Sequence, residues 1–112
     1  MKNILLPKKK TSNPSKVLIL GGTSDARRLA TQLIEMNFEV IYSIAGLVRT
    51  PALDCEIHIG GFTAHGGLDL YIQQTNIAII LDATHPYALN ISHKAALACV
   101  QTNIQYVRFE RP

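Results

Sequence analysis

Apolar and polar positions fall in blocks along this chain rather than alternating singly. Val17-Leu18-Ile19-Leu20 is a continuous apolar run, the pattern of a strand covered on both faces. Gly21-Gly22-Thr23-Ser24-Asp25 follows as a turn rich in helix N-cap residues. Over residues 26–36 the side chains of Ala26, Leu29, Ala30, Leu33 and Ile34 form one helical stripe, which Asn37 closes. Residues 39–43 (EVIYS) read as a second strand and 44–55 as a loop holding Gly46 and Pro51. A short third strand at 56–59 runs into the turn Gly60-Gly61-Phe62, and Leu68, Tyr71 and Ile72 mark a short helix within 67–75. The second fully apolar strand, 77–81 (IAIIL), ends on Asp82-Ala83-Thr84-His85-Pro86. Pro86 suits the first turn of a helix, where its missing N–H costs nothing, so a helix is predicted over 87–102 and a last strand over 105–109.

Strands alternating with helices at this spacing predict βαβ crossovers: an α/β fold with a doubly wound parallel sheet, strands 17–20 and 77–81 central, and a flank near 105–112 left uncovered. The 112 residues, 47% of them hydrophobic, suffice for one core and exclude wholesale disorder. No apolar run approaches the roughly 20 residues that span a bilayer, so no membrane partner is expected and the cytosol is the default location.

Charge changes the picture in one respect. The net +3 invites a nucleic-acid reading, yet five of the eleven basic residues (Lys2, Lys8, Lys9, Lys10 and Lys16) lie in the first sixteen positions. From Val17 onward six basic residues face eight acidic ones, a net of −2, so no nucleic-acid partner is expected. Residues 1–16 read as a flexible basic tail and 17–112 as a dinucleotide-binding domain. Cys55 and Cys99 stand far apart without a Cys-x-x-Cys pair, which fits reduced thiols. Cys55, His58 and His65 match no standard zinc spacing, so no metal is expected and His58 is placed on a strand facing solvent.

The first βα turn carries the strongest chemical signal. Aligned on Gly21, the dinucleotide fingerprint G-x-G-x-x-G becomes Gly21-Gly22-Thr23-Ser24-Asp25-Ala26, with Ala tolerated last and the Thr23 hydroxyl standing in for a close backbone approach to the pyrophosphate. Its place after the first strand and before a helix N-terminus makes a Rossmann-like phosphate turn the expectation, against a purely structural glycine turn of an α/β protein. The second strand ends Ile41-Tyr42-Ser43 with no acid for a cofactor's ribose; Ser43 and the following Arg49 suit a 2′-phosphate, so NADPH is expected over NADH. Thr84 and His85, directly after IAIIL, point to the same sheet edge, where ligands of open α/β sheets bind. His85 is the candidate proton donor or substrate-carboxylate partner. Asp82 is expected to cap and brace the turn.

The motifs ILGGTSDARRLA (19–30), YSIAG and RTP (42–46 and 49–51), IGGF (59–62), GGLDLYI (66–72), LDATHPYALNIS (81–92) and RFERP (108–112) occur in an order that resembles the N-terminal half of the precorrin-6A reductase family of corrin-ring biosynthesis. The resemblance covers residues 17–112. It implies hydride transfer from a nicotinamide to a ring double bond of precorrin-6A or cobalt-precorrin-6A, in a cleft between two α/β domains. Position by position, Gly21, Gly22, Thr23 and Ser24 match the family's first loop, which holds cofactor phosphate. Ser43, Gly46 and Arg49 match the loop after its second strand. Gly61, Phe62, Thr84 and His85 match the edge facing cofactor and macrocycle, with Thr84 on the cofactor and Gly61, Phe62 and His85 on the substrate. Leu47-Val48 separates Gly46 from Arg49, whereas many members have Arg directly after that Gly. The family's second domain is expected to come from outside these residues, on a separate chain or otherwise. The competing expectation is a nucleotide-binding module, or truncated remnant, without turnover of its own.

Overall fold

The structure is a computed structural model that describes residues 16–46 and 51–109. The basic tail up to residue 15, Arg49, and residues 110–112 of the RFERP motif lie outside the described residues.

Five strands build one sheet: β1 (Lys16–Leu20), β2 (Glu39–Ile44), β3 (Glu56–Ile59), β4 (Ile77–Asp82) and β5 (Gln105–Arg108). Their order is β3-β2-β1-β4-β5 and every pair is parallel. The order reverses between β1 and β4, the switch point of a doubly wound, Rossmann-like sheet. α1 (Ser24–Glu35) covers one face, while α2 (Leu68–Thr75) and α3 (Leu89–Thr102) cover the other. The two central strands are apolar from Val17 to Leu20 and from Ile77 to Leu81 because both their faces are buried there. Val17 and Ile19 of β1 join Leu29, Leu33 and Tyr42 under α1, whereas Leu18 and Leu20 join Tyr71, Ile80 and Ala95 under α2 and α3. The edge strands are less covered, and the side chains of β5 beyond Gln105 are half-buried.

Element ends differ from the sequence expectation in informative ways. Lys16 belongs to β1 rather than the tail: it pairs in register with Glu39 and its N–H donates to the Asn76 carbonyl. α1 begins at Ser24 because Thr23 is its N-cap, and its chain end passes through Asn37 at φ +65°, a left-handed position that Asn tolerates. α3 begins at Leu89, not 87. Pro86 occupies the second position of a turn closed by a 2.9 Å bond from the Ala88 N–H to the His85 carbonyl, a site that Pro's fixed φ suits as well as a helix start. Among the described residues no helix is long and apolar enough to cross a membrane.

Candidate nucleotide and substrate cleft

Parallel register places Ser43, Leu20, Asp82 and Arg108 side by side across the carboxyl ends of β2, β1, β4 and β5. Beyond that line a cleft of ≈ 230 Å³ opens at the switch point. It brings together Gly21, Gly22, Ser43, Gly61, Phe62, Thr84 and His85, residues drawn from the loops after β1, β3 and β4 and from the end of β2. Thr23 and Ser24 start α1 beside it without lining it, Gly46 is exposed further along the chain, and Arg49 is outside the described residues.

The first turn is held from below. The Gly21 N–H donates to the Ser43 carbonyl at 2.7 Å, and the Gly22 N–H to the Tyr42 hydroxyl at 3.0 Å. The two glycines are required for different reasons. A Cβ on Gly21 would come within 2.6 Å of the Tyr42 hydroxyl and of its ring, whereas Gly22 meets no neighbour but sits at φ +103°. The Thr23 hydroxyl accepts from the Ala26 N–H at 3.0 Å and donates to the Ala83 carbonyl at 2.7 Å. Its one proton is therefore used within the protein, which corrects the expectation that this hydroxyl donates to a pyrophosphate. What the turn offers an anion is the N–H groups of Thr23 and Ser24, which have no hydrogen-bond partner among the described residues, at the positive end of a 12-residue helix. Asp25 in that first turn opposes an anion, and its 2.9 Å pairing with Arg28 offsets part of this charge.

The β4 end is organised by a carboxylate. Asp82 is fully buried and accepts hydrogen bonds from the Thr84 N–H and hydroxyl, the Ser92 hydroxyl, the Tyr106 hydroxyl and Arg108 Nη1, at 2.6–3.1 Å. Burial alone pushes its carboxyl up, but the bonds from Ser92, Tyr106 and Thr84 outweigh burial and hold it below the usual carboxylate range. Burial and the bond to Asp82 push the Tyr106 phenol up to about 12, so it remains a donor. Bracing of the turn by Asp82 was legible in the sequence; the partners from α3 and β5 were not. The visible signal was an acid ending an otherwise apolar strand. The Thr84 hydroxyl donates to Asp82 and accepts from Arg108 at 2.8 Å, so Thr84 faces the cleft with its hydrogen-bonding capacity largely engaged.

His85, exposed at the cleft wall, accepts the Tyr87 N–H on Nδ1 at 3.3 Å, which leaves the proton of the neutral ring on Nε2. Behind the Gly61-Phe62 turn, His58 is half-buried rather than turned to solvent as expected. Its ring stacks on Phe62 at 4.4 Å with 4° between planes, and Nε2 donates to the Gly61 carbonyl at 3.0 Å. Phe62 is itself buried against Tyr71, so the Gly60-Gly61-Phe62 turn is pinned by aromatic packing. Among the described residues no carboxylate lines the cleft. Bare glycine backbone, a Ser43 hydroxyl with no hydrogen bond among the described residues, and two unpartnered N–H groups at a helix start together fit a phosphate-bearing dinucleotide.

The chain is 40% identical to the precorrin-6A reductase of Rhodobacter capsulatus over 98 residues, which are 87% of this chain and 39% of that protein. It is 33% identical to the cobalt-precorrin-6A reductase of Priestia megaterium over 98 residues, 85% of this chain and 38% of the relative. The solved structure of CobK precorrin-6A reductase superposes with a TM-score of 0.80 at 39% identity, covering 88% of this chain and 39% of that one. The chain thus spans about two fifths of the length of the relatives it matches. Residues 16–112 match the model of the precorrin-6x reductase family CbiJ/CobK, and the chain belongs to that family.

Proposed function

We propose that this chain is the cofactor-binding portion of a cobalamin-pathway reductase that uses NADPH to reduce a ring double bond of precorrin-6A or its cobalt-bearing counterpart. The observation that carries the reading is the assembly of Gly21, Gly22, Ser43, Gly61, Phe62, Thr84 and His85 in one cleft at the switch point of a parallel sheet. A bound nicotinamide dinucleotide supplies the hydride. The N–H groups of Thr23 and Ser24 hold its phosphate at the start of α1. Ser43, near the end of β2, takes the ribose or its 2′-phosphate together with Arg49, and the described residues that line the cleft include no carboxylate to repel a 2′-phosphate. Gly61 and Phe62 form the substrate wall. The His85 Nε2–H faces substrate as hydrogen-bond donor to a carboxylate or as the proton source for the ring atom beside the reduced carbon.

The remaining cleft wall is assigned to the part of the family's length that this chain does not span, and turnover of precorrin-6A is assigned to the completed protein. Titration calorimetry of the chain with NADPH and with NADH tests the cofactor assignment: weak binding with NADPH preferred is expected. Equal affinity removes Ser43 and Arg49 as readers of the 2′-phosphate, and no binding of either overturns the assignment. A turnover of precorrin-6A by the 112-residue chain alone contradicts the need for the remainder.

A further inference from the structure

Tyr42 has no place in the reading above, yet it determines the shape of the phosphate turn. It is fully buried under α1, in the same cluster as Val17, Ile19 and Leu33. A residue serving only to fill that space would be apolar, like its neighbours Val40 and Ile44 on the same face of β2. Instead its hydroxyl reaches the turn after β1, where it accepts the Gly22 N–H at 3.0 Å and occupies the space that a side chain on Gly21 would need. The neighbouring Ser43 carbonyl takes the Gly21 N–H at 2.7 Å. Both glycine N–H groups are thus directed inward onto β2, and the first N–H groups free of such bonds are those of Thr23 and Ser24. With its residue accessibility at 0%, the Tyr42 hydroxyl cannot itself touch a ligand.

We propose that Tyr42 is a positioning residue for cofactor binding, acting through Gly22: its hydroxyl holds that glycine in the left-handed conformation that turns the Thr23 and Ser24 N–H groups toward the cofactor's phosphate. The inference rests on the cofactor assignment made above. It explains why a phosphate turn that lacks the fingerprint's middle glycine still has a fixed geometry, since the constraint comes from the neighbouring strand.

Tyr42→Phe removes one oxygen and keeps the ring, so the core remains filled. The test compares the unsubstituted chain with Tyr42→Phe in NADPH affinity, thermal midpoint and amide exchange at Gly22. We expect faster Gly22 exchange and NADPH binding about three- to tenfold weaker, the effect of one net hydrogen bond, with a midpoint shift of only a few degrees. Gly21→Ala, which displaces the same ring from the other side, should weaken NADPH binding at least as much. Unchanged NADPH affinity in Tyr42→Phe overturns the inference and leaves the cofactor assignment standing, whether or not the midpoint falls. Failure of the unsubstituted chain to bind NADPH overturns the assignment and the inference together.

Discussion

The Thr23 hydroxyl donates a 2.7 Å hydrogen bond to the Ala83 carbonyl, joining the residue that caps α1 to the residue that follows β4. The bond crosses the point where the strand order reverses, and the Ala83 N–H returns a 3.0 Å bond to the Leu20 carbonyl. The loops after β1 and β4 are therefore one hydrogen-bonded unit.

Thr23→Val keeps the shape of the side chain and loses both hydroxyl bonds, the cap to Ala26 and the tie to Ala83. The expected loss is about 1–2 kcal/mol, the upper part of the range for an N-cap, because the tie to Ala83 goes with it. Thr23→Ser, which retains the hydroxyl, should recover most of it. Urea unfolding of the three proteins measures this. A Thr23→Val protein as stable as the parent contradicts the double role.

Asp82 makes a pH prediction. Its carboxyl holds a proton less tightly in the folded chain than at its ordinary value of 3.8 in the unfolded one. As pH falls, the unfolded state takes up the proton first. The stabilisation is therefore complete above the unfolded value and is lost as pH drops through the lower folded value. At neutral pH Asp82→Asn should cost roughly 3 kcal/mol, the low end for breaking a buried pair, because Arg108 retains some contact with water. The gap between the parent and Asp82→Asn should narrow below pH 3.8. A pH-independent gap would show that the charge of Asp82 does not contribute.

His85→Ala, placed in a reductase of full family length that carries these residues, should lower turnover of precorrin-6A about 10²-fold or more, the usual contribution of a positioned proton donor. NADPH affinity should stay within about twofold, because among the described residues the His85 ring bonds its own loop alone, through the Tyr87 N–H. Steady-state turnover and cofactor titration separate the outcomes. A matching loss of cofactor affinity reassigns His85 to the cofactor, and unchanged turnover makes it a bystander.

Much of this fold was legible because burial on both faces writes itself into sequence. Continuous apolar runs marked β1 and β4 as central, and the glycine turn and His85 fell on one edge because parallel strands all end there. What the sequence concealed was long-range or shared between roles. Arg108 and Tyr106 come from β5 and Ser92 from α3, so only the folded register brings them to Asp82. The Thr23 hydroxyl reads equally well as a cap and as a phosphate donor, and its bonds to Ala26 and to Ala83, sixty positions on, engage it within the protein while the Thr23 N–H stays outside them. Pro86 fits a turn as well as a helix start. His58 lies on an edge strand where solvent is the default, and its stacking partner Phe62 is supplied by the following turn.

The central claim is that the cleft at the switch point binds the nicotinamide cofactor, and amide chemical-shift mapping of the chain during titration with NADPH tests it most directly. The account predicts shifts concentrated at Gly22, Thr23 and Ser24, with a second group at Ser43, Gly61, Thr84 and His85. A different cavity lies at the amino ends of the strands, lined by Lys16, Glu39 and Cys55 among others, and it should remain silent. Shifts confined to that second cavity, or none at any NADPH concentration, would contradict the account.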